Sequence, residues 1–135
     1  MSNIEHQEPK MTEQLFFSVL LAGKLIGHIK HLEQHGEGSF AAHLALEEYY
    51  KGANKIADKV IETFQGYQDR LITYDSTGLL LGWDMEAKQY LELVRVMIED
   101  HRYEIIPKEQ THLHNELDNY VTLIDQITYK LSFLK

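Results

Sequence analysis

A chain of 135 residues has room for one domain with a real core and too little for two. Its 44% hydrophobic and 25% charged residues are ordinary for a soluble globular protein, and the lack of long apolar runs gives no expectation of a membrane span. With no cysteine, disulfides and thiolate metal sites are excluded, and a net charge of -8 argues against a nucleic-acid surface, which needs clustered Lys and Arg.

Residues 1 to about 10 are polar and acidic and are expected to form a flexible tail. They lack the basic-then-apolar layout of a signal peptide, so the expected location is the cytoplasm. Thr12 is placed to cap a first helix running to about Glu33. Leu15, Phe16, Val19, Leu20, Ala22, Leu25, Ile26 and Ile29 recur at helical spacing, and Leu32 extends the stripe. His28 and His31 sit one turn apart near its end. His35-Gly36-Glu37-Gly38 breaks the helix, with Gly36 as a left-handed terminator, and Ser39 is a good N-cap for a second helix. So short a break predicts an antiparallel hairpin.

The second helix is predicted from Ser39 to Gly66. Leu46, Tyr49, Tyr50, Ala53, Ile56, Ala57, Val60, Ile61 and Phe64 form its apolar stripe. Beside that stripe run two pairs with metal-binding chemistry, His43 with Glu47 and Asp58 with Glu62. Within each pair the spacing is one helical turn, so the two side chains share a face. His43 and Asp58 are separated by roughly 22 Å of helix, too far to share an ion within one chain. An antiparallel pairing of this helix with a second copy, His43 opposite Glu62, sets Glu47 opposite Asp58 and completes two equivalent sites per dimer. The crossing then falls between the small residues Gly52 and Ala53.

From Gly66 to Gly82 the connection is long for a bundle. Its reach of about 50 Å allows it to run the length of a helix as a crossover. A turn is expected at Asp75-Ser76-Thr77-Gly78, and a short helix can lie at 67–73. A third helix comes next, from about Asp84 to Tyr103, with Met85, Tyr90, Leu93, Val94, Met97 and Ile98 inward and Trp83 capping the bundle end. Pro107 suits the first turn of a fourth helix. Leu113, Leu117, Tyr120, Val121, Ile124, Ile127, Leu131 and Leu134 give its stripe. Glu109 and His112 form a Glu-x-x-His at its start, with no counterpart on the second helix. Four amphipathic helices with one long crossover make a ferritin-like four-helix bundle over residues 11–135.

The stretch HLEQHGEGSFAAHLALEEYYKGANKIADKVIETFQG resembles the heart of the Dps-type mini-ferritins, iron-oxidising proteins of the ferritin-like superfamily. His31 matches the His that closes the family's first helix. His43 and Glu47 match the His and acid that open its second, and Asp58 and Glu62 match its later Asp-x-x-x-Glu. The chain is also similar in its brevity to short Dps-like proteins encoded by bacteriophages. The resemblance implies ferroxidation of Fe(II) by oxygen or peroxide, with His31, Asp58 and Glu62 as the stronger metal position and His43 and Glu47 as a weaker one. Zinc or another divalent cation could take the same ligands. It further implies a homo-oligomer, twelve chains forming a hollow acidic shell, which a charge of -8 suits. Three positions depart from the family. Leu32 stands where it has a Trp, Glu47 where Asp is usual, and Thr63 where an Arg follows the last Glu; the Lys-rich tail is also missing. Tyr49 and Tyr50 are candidate electron donors in place of the Trp. The competing reading is a ferritin-like shell or interaction protein with a vestigial or structural metal site and no turnover.

Overall fold

The computed structural model describes residues 10–135. The tail expected over residues 1 to about 10 lies, all but its last residue, outside them. Among the described residues the chain is all-α, with five helices and no strand: α1 (Glu13–Glu33), α2 (Ser39–Gln68), α3 (Ser76–Leu80), α4 (Ala87–Ile105) and α5 (Thr111–Phe133).

Each boundary has a local cause. Thr12 caps α1 as its spacing predicts, its Oγ1 accepting from the Leu15 amide at 3.1 Å. The N-cap of α2 is Gly38 at φ 78°, so Ser39 is the first helical residue and makes no side-chain cap. Gly36 is left-handed at φ 87°, but the C-cap of α1 is the extended Gln34. Gly66 does not end α2. The helix runs on to Gln68 and stops at Asp69, a non-glycine residue at φ 52° whose amide reaches back to the Gln65 and Gly66 carbonyls. The short helix of the connector is not at 67–73 but at α3, where Asp75 caps it through the Thr77 amide at 2.9 Å. The Asp-Ser-Thr-Gly read as a turn is therefore a cap and the first residues of a helix, which use the same side-chain chemistry. α4 starts at Ala87 rather than near Asp84, and α5 at Thr111. Pro107 precedes α5 and lies in the turn, its carbonyl accepting from the Gln110 amide.

α1 and α2 form the hairpin that the short break predicts, and α2 and α4 lie diagonally, their backbones apart and their side chains meeting across the core at Tyr49 and Tyr90. α5 packs on α2 and α4, and α4 packs on α1, so the four long helices close a ring in the order α1, α2, α5, α4. The connector after α2 tracks α1. Arg70 pairs with Glu13 at 2.6 Å, the Asp75 amide donates to Ser18 Oγ at 2.9 Å, and the Trp83 carbonyl accepts from buried Lys30 Nζ at 2.5 Å. Its contacts thus step from the first turn of α1 to the last.

The core runs the length of the ring: Phe16, Phe17, Leu20 and Ile26 of α1 against Leu46, Val60 and Phe64 of α2, Leu91 and Ile98 of α4, and Leu117 and Ile124 of α5. Each such side chain removed from water contributes about 1.5–3 kcal/mol. Leu25 and Leu32, expected on the inner stripe, are instead exposed, because the stripe of α1 is centred on the turns that hold Gly23 and Gly27. Trp83 caps the end through its backbone, while its indole is 55% exposed. Length and composition do admit α1 as a membrane-spanning helix, against the sequence expectation, but most of its apolar window is buried in the bundle, as a core helix requires.

Candidate metal centre

The hairpin break is so short that the last turn of α1 lies beside the second turn of α2. This brings His31 and His43 together. Their rings stack with centroids 3.5 Å apart and planes 24° apart. Each Nδ1 faces the other residue's backbone carbonyl, His31 Nδ1 to His43 O at 2.6 Å and His43 Nδ1 to His31 O at 3.0 Å. A carbonyl only accepts, so both rings carry their hydrogen on Nδ1 and keep the Nε2 lone pair free. Neither Nε2 has a protein partner among the described residues, and neither is sealed as an orphaned buried atom. This reciprocal pairing is the backbone-anchored orientation that metal-binding imidazoles use. His31 is buried and His43 half-buried.

Two aromatic neighbours complete the cluster. His28, one turn before His31, stacks on Tyr50 at 4.5 Å, and Tyr50 meets His31 edge-on at 5.4 Å. The close approach of the two helices depends on Gly27. A Cβ there would lie 2.7 Å from the Tyr49 ring and 2.9 Å from Tyr50 Cβ.

Glu47 comes one turn beyond His43. Its carboxylate is held below the usual range, first by the hydrogen bond from Lys51 at 2.8 Å and its charge, and further by the nearness of His31 and His43. Asp58 and Glu62 are exposed on the same helix, three to four turns further along. The structure thus gathers His31, His43 and Glu47 at one end and leaves Asp58 and Glu62 apart. Among the described residues no three His, Asp or Glu of one chain are placed to hold a metal ion together.

The small residues at the expected dimer crossing serve the chain itself, which corrects that part of the sequence reading. Ala53 is fully buried, and a Cβ at Gly23 would lie 3.0 Å from its methyl. Gly52 faces α5, where an added Cβ would lie 2.8 Å from Leu123. The outward face of α2 is instead marked by Glu47, Lys51, Lys55, Asp58 and Glu62. Glu109 and His112 are both exposed at the start of α5, away from this face.

Sequence reasoning placed three tyrosines on core stripes but missed that their hydroxyls meet in the middle of the bundle. Tyr49, Tyr90 and Tyr120 are fully buried, with Tyr49 Oη 3.3 Å from Tyr90 Oη and 3.2 Å from Tyr120 Oη, and Tyr120 donating to the Leu20 carbonyl at 3.2 Å. Burial pushes all three phenols up, Tyr90 to about 12. The one signal in the sequence was a tyrosine on each of three core stripes. A second buried network joins Arg102 to His114, whose Nδ1 accepts from Arg102 Nε at 3.1 Å.

Compared with known proteins, residues 31–131 match the model of a family of unknown function (DUF5856), a span that includes all five candidate ligands. No curated protein matches, and no solved structure matches.

Proposed function

The chain belongs to DUF5856, a family of unknown function, and we propose, from its candidate ligands and helix layout, that it is a Dps-like ferroxidase and iron store of ferritin-like architecture. The observation that carries the reading is the His31–His43 pair, with both Nε2 lone pairs free at one end of α2 and two carboxylates, Asp58 and Glu62, waiting near the other. The connector contacts at Glu13, Ser18 and Lys30, and the diagonal placement of α2 and α4, support a ferritin-like crossover with α4 running parallel to α2.

Imidazole nitrogen and carboxylate oxygen suit Fe(II), the substrate. His31 of one chain with Asp58 and Glu62 of a second would form the stronger position, and His43 and Glu47 a weaker one beside it, the two α2 helices lying antiparallel about a two-fold axis. Oxygen or peroxide is the electron acceptor. The anchored Nδ1 atoms keep both imidazoles in one orientation, and the acidic face draws cations toward them. A shell of twelve chains in the cytoplasm would hold the product, and no nucleic acid or membrane takes part. Zinc or another divalent cation fits the same donors.

A second reading, a non-catalytic shell or interaction protein with a structural metal site, is favoured by Leu32, 67% exposed where the resemblance has a Trp beside the site. Mixing Fe(II) with the protein in air and monitoring near-ultraviolet iron-oxo absorbance separates the two. The ferroxidase reading expects wild type to be much faster than Asp58→Ala/Glu62→Ala. Equal rates reject it. A monomeric mass under every condition rejects both the shell and the shared site.

A further inference from the structure

The outward face of α2 has a charge problem that the site register creates. With His43 opposite Glu62 of a second copy, Glu47 falls opposite Asp58. Each shared site then gathers three carboxylates around two imidazoles, and it occurs twice across one interface. Its cations are Lys51, already bonded to Glu47 within its own chain at 2.8 Å, and exposed Lys55, one turn before Asp58, which still leave the acids of each site in excess. Acid facing acid across a closing interface repels, and more so as water leaves it.

Sliding the two helices by about 12 Å, eight residues of rise, would set Lys51 against Glu62 and Lys55 against Asp58. That register offers only exposed ion pairs, each with little net value, and these do not offset the freedom lost on association. The site register does bring apolar side chains across the seam, because exposed Phe40 and Leu44 of one chain reach the end of α2 near Gly66 of the other. Gly66 leaves open space around its Cα.

Resting on the shared site proposed above, we infer that pairing of two copies through α2 is driven by a divalent cation, which cancels the carboxylate repulsion and selects the register that completes the site. Binding and association are then linked reciprocally: whatever factor the cation adds to association, association adds to cation affinity. The chain gathers where the cation is present and disperses where it is not.

The test is sedimentation equilibrium of the full chain in EDTA and in Zn2+, a redox-inert probe, for wild type and for Asp58→Asn/Glu62→Gln. Both substituted positions are exposed, and circular dichroism checks the fold. Wild type is expected to associate at least about tenfold more tightly in Zn2+ than in EDTA. The neutral variant is expected to associate equally in both, and more tightly than wild type in EDTA, while binding Zn2+ more weakly. Wild type equally associated in EDTA, with Zn2+ bound through Asp58 and Glu62, overturns the coupling and leaves the shared site standing. A neutral variant that fails to associate in EDTA also overturns the coupling. Zn2+ held by the monomer, or by neither form, overturns the shared site itself.

Discussion

At the scale of single residues, Gly23 is a restricted position that no hydropathy pattern singles out. A methyl at Gly23 would come within 2.3 Å of the Tyr120 hydroxyl, which cannot retreat without losing the Leu20 carbonyl. Gly23→Ala is expected to lower stability by about 1–3 kcal/mol, since over-packing outweighs the gain in helix propensity. Tyr120→Phe removes that oxygen and costs about 1 kcal/mol alone. Urea unfolding of both single variants and the double variant should therefore show the double to be more stable than Gly23→Ala, a coupling that independent sites do not give. The phenol trio makes its own prediction. Burial raises the folded-state values of Tyr49, Tyr90 and Tyr120 above the ordinary 10, so their contribution is complete below pH 10 and is lost as the pH rises toward 12. Absorbance at alkaline pH should show a late-titrating fraction that appears together with loss of helix, and Tyr90→Phe should shrink it.

At the scale of elements, two connections are held by arginine side chains. α5 has no side-chain N-cap at Gln110. Its start is fixed instead by Arg102, which donates to His114 Nδ1 at 3.1 Å and to the His114 carbonyl at 2.6 Å and pairs with Asp118 at 2.9 Å. The His114 Nε2–H donates in turn to the Ile106 carbonyl at 3.0 Å. Arg102→Met strands these acceptors and is expected to cost about 2–4 kcal/mol, read as a lower urea midpoint. The connector is pinned at its other end by Arg70, whose guanidinium hydrogen bonds hold the Glu13 carboxyl below its ordinary 4.5. A depressed carboxyl contributes stability that is complete above pH 4.5 and is lost as the pH falls through its folded value. Half-exposed as the pair is, its worth stays below about 1 kcal/mol. Arg70→Met should flatten the fall of stability below pH 4.5 while leaving neutral pH nearly unchanged, measured as urea midpoints across that range.

The four long helices were legible because their apolar periodicity spans many turns, and the α1–α2 hairpin was legible because so short a break leaves no other course. The boundaries were less so. Gly66 reads as a stop, yet nothing about a glycine in solvent forces a helix to end. Asp75-Ser76-Thr77-Gly78 fits a turn and a capped helix equally well until packing on Ser18 decides. Of the site, His31 and His43 were brought together as the hairpin requires, but the reciprocal bonding of their Nδ1 atoms depends on two carbonyl positions that no one-dimensional pattern encodes. Gly52 and Ala53 were misread because smallness alone does not say which neighbour comes close.

At the scale of the whole molecule, the ring of four helices closes on its own core and leaves the candidate ligands on the outward side of α2 and at the α1–α2 hairpin. His31, His43 and Glu47 lie at one end of α2 and Asp58 and Glu62 near the other, so no intramolecular motion short of breaking the helix joins them. On the proposed reading, function then depends on how copies meet, and the concentration of the chain becomes a control variable.

The phenols in the middle of the bundle occupy the space in which other four-helix proteins house paired metals between facing carboxylates. Anyone wishing to build a self-sufficient centre into this scaffold would have to start by evicting Tyr49 and Tyr120. With them in place the interior is a closed room, its polar atoms already spent on one another.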